Sequence, residues 1–232
     1  MKHIASIFIA LVLCTSAAWA GDFEDGVAAN KKKDFVTALR KFKSAAVQGE
    51  AAAQFNLGLM YSKGQGVSQD YAEAARWYKL AAEQGYVSAQ LNIGFMYSMG
   101  RGVVQDYAEA VRWYRLAAAQ GDSDAQFNLG IRYDNGQGVV RDYAEAVRWY
   151  KLAAEQGNSE AQFNLAIRYD NGQGVAQDYI RAHLWYNLAS VKGDAQSVKN
   201  RDIIAAKMTT QQIAEAQKLA RECQARNFKN CD

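Results

Sequence analysis

Catalysis, metal binding or redox work in this chain would have to come from very few side chains. The 232 residues include two histidines (His3 and His183), three cysteines (Cys14, Cys223 and Cys231) and no proline. His183 lies between Ala182 and Leu184, a setting that suits a packed or half-exposed imidazole better than a catalytic one. No nucleophile elbow, Walker loop or His-Glu-x-x-His motif accompanies it. A metal-like stretch, Asp134-Asn135-Gly136-Gln137-Gly138, recurs at 170–174 and places Glu145 twelfth when counted from Asp134. Its third and fifth places are glycines without side-chain oxygens, and its sixth is Val139 where a calcium loop needs glycine. The expectation is therefore no catalytic residue, no metal site and no cofactor.

The first twenty residues are read as a segment to be removed. Lys2 and His3 open it, an apolar run extends from Ile4 to Cys14, and Ala18-Trp19-Ala20 forms a small-residue cleavage site. The run is shorter than the roughly 20 residues that a spanning helix needs. The expectation is a cleaved secretory signal over 1–20, with cleavage after Ala20, a periplasmic or secreted product, and no membrane span once the signal is gone. Cys14 leaves with it. Cys223 and Cys231 then form an even pair in an oxidising compartment, either as a disulfide closing a short terminal loop or as two free or intermolecular thiols. A net charge of +3 over the whole chain gives too weak a field for a nucleic-acid partner.

Repetition governs the rest. Asp-Tyr occurs at 70–71, 106–107, 142–143 and 178–179, and Trp-Tyr at 77–78, 113–114, 149–150 and 185–186, each pair 36 residues after the last. The units are 50–85, 86–121, 122–157 and 158–193. A fixed step of near-identical segments calls for stacked modules, none of which can bury its apolar faces alone. Each unit reads as two helices. In the first, Ala53, Leu57 and Tyr61 form one stripe, with Gly58 beside it for close approach and Gly64 as a left-handed cap. The second opens at Asp70, with Glu73 completing an acidic capping box. It buries Ala74, Trp77, Tyr78 and Ala81 and keeps Arg76, Lys79 and Glu83 in water. Residues 22–49 read as a divergent N-terminal helix pair, and 194–232 as capping helices and a tail, the second starting at a Thr209/Gln212 capping box. The fourth unit drifts: Arg181 replaces the capping glutamate and Ala166 the glycine.

The string Ala-Gln-Phe-Asn-Leu-Gly-x-x-Tyr, followed by Gly-x-Gly-Val, Asp-Tyr, Trp-Tyr and Ala-Ala-x-x-Gly, resembles the Sel1-like repeat, a relative of the tetratricopeptide repeat. The resemblance implies an all-α fold, an α/α superhelical solenoid of helix pairs, with residues 22–49 similar to a tetratricopeptide-type pair. It also implies a protein-interaction scaffold or regulator that takes a protein or peptide partner in a concave groove lined by first helices. Envelope regulation and export toward host proteins are both roles within the family's range. Carried over by position, the groove would hold the ladder Asn56, Asn92, Asn128 and Asn164, unless each asparagine bonds within its own unit. It would also hold positions that vary between units. Met60 and Met96 give an apolar early half, with Met99 adding to it. Arg132 and Arg168, alternating with Asp134 and Asp170, give a charged later half. A rival implication is a cell-wall-directed or β-lactam-binding hydrolase, but family members of that kind carry a cysteine pair in each repeat and these repeats carry none.

Overall fold

A computed structural model describes residues 21–231, so the expected signal segment, 1–20, lies outside the described residues. Those residues contain helices and no strand: α1 (21–31), α2 (Phe35–Val47), α3 (Ala51–Lys63), α4 (Tyr71–Glu83), α5 (Val87–Met99), α6 (Tyr107–Ala119), α7 (Ser123–Asn135), α8 (Tyr143–Ala154), α9 (Ser159–Asn171), α10 (Tyr179–Ala189), a 3-10 turn (Ser190–Lys192), α11 (Ala195–Ala205) and α12 (Thr210–Ala225). They fall into two compact bodies, one ending at Asp106 with α1–α5 and one starting at Tyr107 with α6–α12.

Within the first body the repeat's local rules are visible in α3 and α4. Helix α3 stops at Gly64, whose φ of +66° is left-handed and whose N–H donates to Met60 O, because only glycine enters that region without a Cβ penalty. Asp70 then caps α4, its Oδ1 accepting from the N–H of Ala72 at 2.9 Å and of Glu73 at 3.0 Å. The expected capping box is only half formed. Asp70 N–H already donates to Tyr61 O at 3.0 Å, so the Glu73 carboxylate is left to pair with Arg76 instead. Ala74, Trp77, Tyr78 and Ala81 are buried as their spacing requires. Arg76 stays exposed but lays its guanidinium over the Trp77 ring, 4.6 Å from its centroid. The Tyr78 ring sits on Gly58, where an added Cβ would lie 2.7 Å from ring carbons. In the second body Gly130 serves Tyr150 in the same way.

The second glycine of each Gly-x-Gly has a different task. Gly66 rests on the backbone of Phe35 and Gly102 on that of Tyr71; in the second body Gly138 rests on Tyr107 and Gly174 on Tyr143. The loop of one repeat thus touches the start of the preceding repeat's second helix, main chain against main chain.

The C-terminal end of the second body is closed by α11 and α12. Thr209 and Gln212 form the full capping box, and α12 packs on α10. Cys223 and Cys231 are both buried and joined as a disulfide. That bond folds the tail back so that the Phe228 ring reaches Gly157. His183 on α10 is buried, with no hydrogen-bond partner at Nδ1. Burial, then the Arg201 cation, hold its pKa below the ordinary value, with Asp202 opposing.

Two outcomes follow from these packings. Gly102→Ala introduces a Cβ at φ +73°, 2.8 Å from Ala72 N and nearer still to the Tyr71 carbonyl, whereas Gly85→Ala at φ +87° meets nothing within 4 Å. In urea denaturation Gly85→Ala should cost about 1 kcal/mol for the left-handed backbone alone, and Gly102→Ala about 2 kcal/mol more for the overlap; equal losses would mean that the glycine contact is not tight. The second outcome concerns pH. With its folded-state pKa lowered, His183 favours folding while it is neutral, and that contribution fades as pH drops below the unfolded value near 6.5. The urea midpoint should therefore fall between pH 7 and pH 5, and His183→Gln should flatten the fall.

Candidate functional site

The first helices carry the residues assigned to a groove, and the structure sorts them differently from the sequence. Three of the asparagines bond within their own helix. Asn56 Nδ2 donates to Ala52 O at 2.8 Å, Asn92 to Ser88 O at 2.7 Å and Asn128 to Asp124 O at 2.8 Å, so each commits one of its two N–H donors at home and keeps the other, with the side-chain carbonyl, for a ligand. Met60 and Met96 do not line an open apolar face. They are 2% and 4% exposed, and Met60 belongs to the core formed with Leu57 and Trp77. On α3 and α5 the side chain one turn before the glycine cap points into the helix pair, where a flexible thioether fills the gap. Met99, by contrast, is exposed.

The charged positions of the second body are not free groove charges either. Arg168 Nη1 lies 3.2 Å from Asp134 Oδ1, with the two side chains only 13% and 15% exposed. The same nitrogen donates to Gln173 Oε1 at 2.6 Å, and the guanidinium lies over the Tyr143 ring at 5.3 Å. Asp134 also accepts from the Tyr150 hydroxyl at 3.2 Å. Burial, and then the neighbouring carboxylate, push that phenol far above its ordinary range, so it stays protonated and donates. Arg132 donates to Gln137 Oε1 at 2.6 Å and covers Tyr107 at 5.1 Å. Asp170 lies 3.7 Å from Lys207 Nζ. Tyr186 is pushed up to about 12, chiefly by burial, with a hydrogen bond from Asn200 opposing and Asp170 adding. These arginines and aspartates clamp one repeat to the next, with the two oxygens of Asp134 facing Tyr150 and Arg168.

Open space lies elsewhere. In the first body a cavity of about 240 Å³ is lined by Ser62, Lys63, Tyr71, Tyr78, Asn92, Phe95, Met96 and Arg101. In the second, a cleft of about 300 Å³ has Phe127, Phe163 and Asn164 as its floor, with Glu160, Asp194 and Gln196 among its other walls. A polar cleft of about 370 Å³ shares Ser159 and Glu160 with it and adds Asp124 and Asn158. Among the described residues no group of three metal-ligating side chains comes together, and no helix is long and apolar enough to cross a membrane. Sequence reasoning places Asp124 and Glu160 among the varying groove positions but misses Arg101, Phe127 and Phe163. Arg101 had a signal, since it stands in Gly100-Arg101-Gly102 where the other repeats have Gly-Gln-Gly.

Helix pairs of this length, capped by glycine and registered by a second glycine, define a solenoid-repeat protein. The Sel1 repeat profile matches residues 51–86, 87–122, 123–158 and 159–194, and the chain belongs to the Sel1 repeat family. The boundaries differ by one residue from those read off the sequence. Among solved structures, c5321, a protective antigen of uropathogenic Escherichia coli strains with an SLR fold, is 31% identical with a TM-score of 0.81. The match covers 94% of this chain and 48% of that one, so this chain spans about half the antigen's length. A Sel1 repeat protein from Oxalobacter formigenes is 33% identical with a TM-score of 0.74, covering 85% and 82% of the two chains. No curated protein matches.

The clamp makes a quantitative expectation. In a double-mutant cycle, Asp134→Ser should cost about 1–3 kcal/mol, because Arg168 is left largely buried without its anion. Asp134→Ser with Arg168→Met restores the neutral arrangement of Ser62 and Met96 and should recover most of that loss. Additive losses in the cycle would show that the pair is not coupled.

Proposed function

We propose that the protein is a binding module of the bacterial envelope or its surroundings that seats a segment of a protein partner against its first helices. Sel1 repeats in general mediate protein–protein interaction. The observation that carries the finer reading is the cleft over Phe127, Phe163 and Asn164. Aromatic rings and an amide whose carbonyl can still accept lie together on successive first helices, with the unpaired carboxylate of Glu160 at the edge. Phe127 and Phe163 are half-buried, each resting on the core with one part of its ring in the cleft. Aromatics beside polar groups are the composition of an interaction surface, and prefolded helices lose little conformational entropy on binding. The periplasmic or secreted location is proposed on the signal-like character of 1–20.

A photo-crosslinking benzoylphenylalanine, close in shape to phenylalanine, placed at Phe163 in living cells should give a discrete adduct. The same probe at Arg148, on the exposed face of α8, should give none. The cross-linked chain should begin at Gly21 and be recovered from periplasm or medium. Equal adducts from both positions, or a cytoplasmic chain still carrying residues 1–20, would overturn the reading.

A further inference from the structure

The two bodies hold the same arrangement with one chemical difference. In the second, a guanidinium lies over Tyr143 at 5.3 Å, and its anion comes from within, Asp134 at 3.2 Å. Two repeat steps back, Asp134 becomes Ser62, Tyr143 becomes Tyr71, Tyr150 becomes Tyr78, Arg168 becomes Met96 and Gln173 becomes Arg101. The guanidinium has not been lost; it has moved. Arg101 rises from the loop and lies over Tyr71 at 5.2 Å and Phe95 at 5.8 Å. What has gone is the carboxylate. Of the residues around the 240 Å³ cavity, Arg101 and Lys63 are cations, Ser62, Tyr78 and Asn92 are neutral and polar, and none is acidic. The Tyr78 hydroxyl lies 3.3 Å from Ser62 Oγ, while Ser62 itself donates to Leu59 O at 2.9 Å. Its phenol, raised above the ordinary value mainly by burial, remains a donor that can turn from this long contact to an incoming oxygen, as Tyr150 does toward Asp134.

We propose that this cavity takes a glutamate side chain from a partner protein, its carboxylate meeting Arg101 and Tyr78 where the second body supplies Asp134. The occupant is a side chain because its counterpart in the second body is one. It is glutamate because the space exceeds a carboxylate, and Phe95 and Met96 offer apolar wall for its methylenes. Those walls also lower the local dielectric, which strengthens the ion pair, and a guanidinium already stacked on aromatic rings is pre-oriented for two parallel hydrogen bonds. The proposal rests on the first helices being the docking face and names what one part of that face selects.

The probe is a capped peptide, acetyl-Ala-Ala-Leu-Glu-Leu-Ala-Ala-amide, with two comparators: the same peptide with Gln for Glu, and the Gln peptide with a free carboxyl end. Binding is followed by NMR of the Arg101 Nε–H resonance at low salt. The Glu peptide should shift that resonance and bind at least fivefold more tightly than either comparator. Arg101→Gln, which installs the residue of the other repeats, should abolish the preference. Ser62→Asp should abolish it too, while raising the melting temperature by giving Arg101 an internal partner. No binding of the Glu peptide at millimolar concentration, equal binding of Glu and Gln peptides, a preference only for the free carboxyl end, or a Glu preference that survives both variants would each overturn the proposal. Cross-links from Phe163 that persist without any Glu preference would reject the cavity's role and leave the docking face standing. A clear Glu preference without cross-links would keep the cavity on α3 and α5 as the docking site and reject the cleft over Phe127 and Phe163.

Discussion

A glycine lying on another helix's main chain is the contact from which the rest of this structure follows. Gly66 on Phe35, Gly102 on Tyr71, Gly138 on Tyr107 and Gly174 on Tyr143 each set the loop of one repeat against the first turn of the preceding second helix. With backbone on both sides there is no side chain to rearrange, so the contact tolerates neither a longer loop nor a larger residue. The second helix of the same repeat is held at the end of its first by Asp70 N–H to Tyr61 O, and likewise by Asp142 N–H to Tyr133 O and Asp178 N–H to Tyr169 O. These two ties make the 36-residue step a mechanical requirement and not only a sequence habit.

A fixed step gives each repeat position nearly the same surroundings, so a substitution at one position can be read as a change of chemistry in a constant frame. Ser62, Tyr78 and Met96 form a neutral version of a place that Asp134, Tyr150 and Arg168 make ionic. The ionic version is costly to break because both charges are largely removed from water, which suits a clamp. The neutral version leaves a cavity, which suits a ligand. Ala166 tests the frame in another way. Its methyl occupies the place of the glycine under the repeat's tyrosine, and the Phe163–Tyr186 pair turns edge-on at 61°, where Phe55–Tyr78 and Phe127–Tyr150 stand at 41°.

Much of the fold was legible because it depends on period and caps. The step of Asp-Tyr and Trp-Tyr, the left-handed Gly64 and the box at Thr209 are local signals, and they place the helices to within a residue or two. The site was less legible. Met60 and Met96 vary between repeats as a binding residue would, yet a position near a helix end can vary either by facing a partner or by packing differently, and one sequence does not separate the two. Arg168 and Asp134 read as neighbours on a groove, but their pairing runs from one repeat to the next, a relation visible only once the helices are placed. Arg101 was passed over because the glycine loop looked like a cap with an arbitrary middle residue.

The last repeat shows what happens where the stack has no further copy to lean on. Leu188 is buried, whereas the equivalent Leu116 and Leu152 remain exposed, and α12 packs on the helix that carries Leu188. The tail that follows enters left-handed backbone at Asn227, Phe228 and Asn230, an arrangement that costs of order 1–3 kcal/mol per residue and persists only when its surroundings over-determine it. Two features supply that determination: the Phe228 ring set against Gly157 and the bond from Cys231 to Cys223. A terminal module gains only half the burial of an internal one, so a covalent tie at this end holds a segment that packing alone would leave frayed.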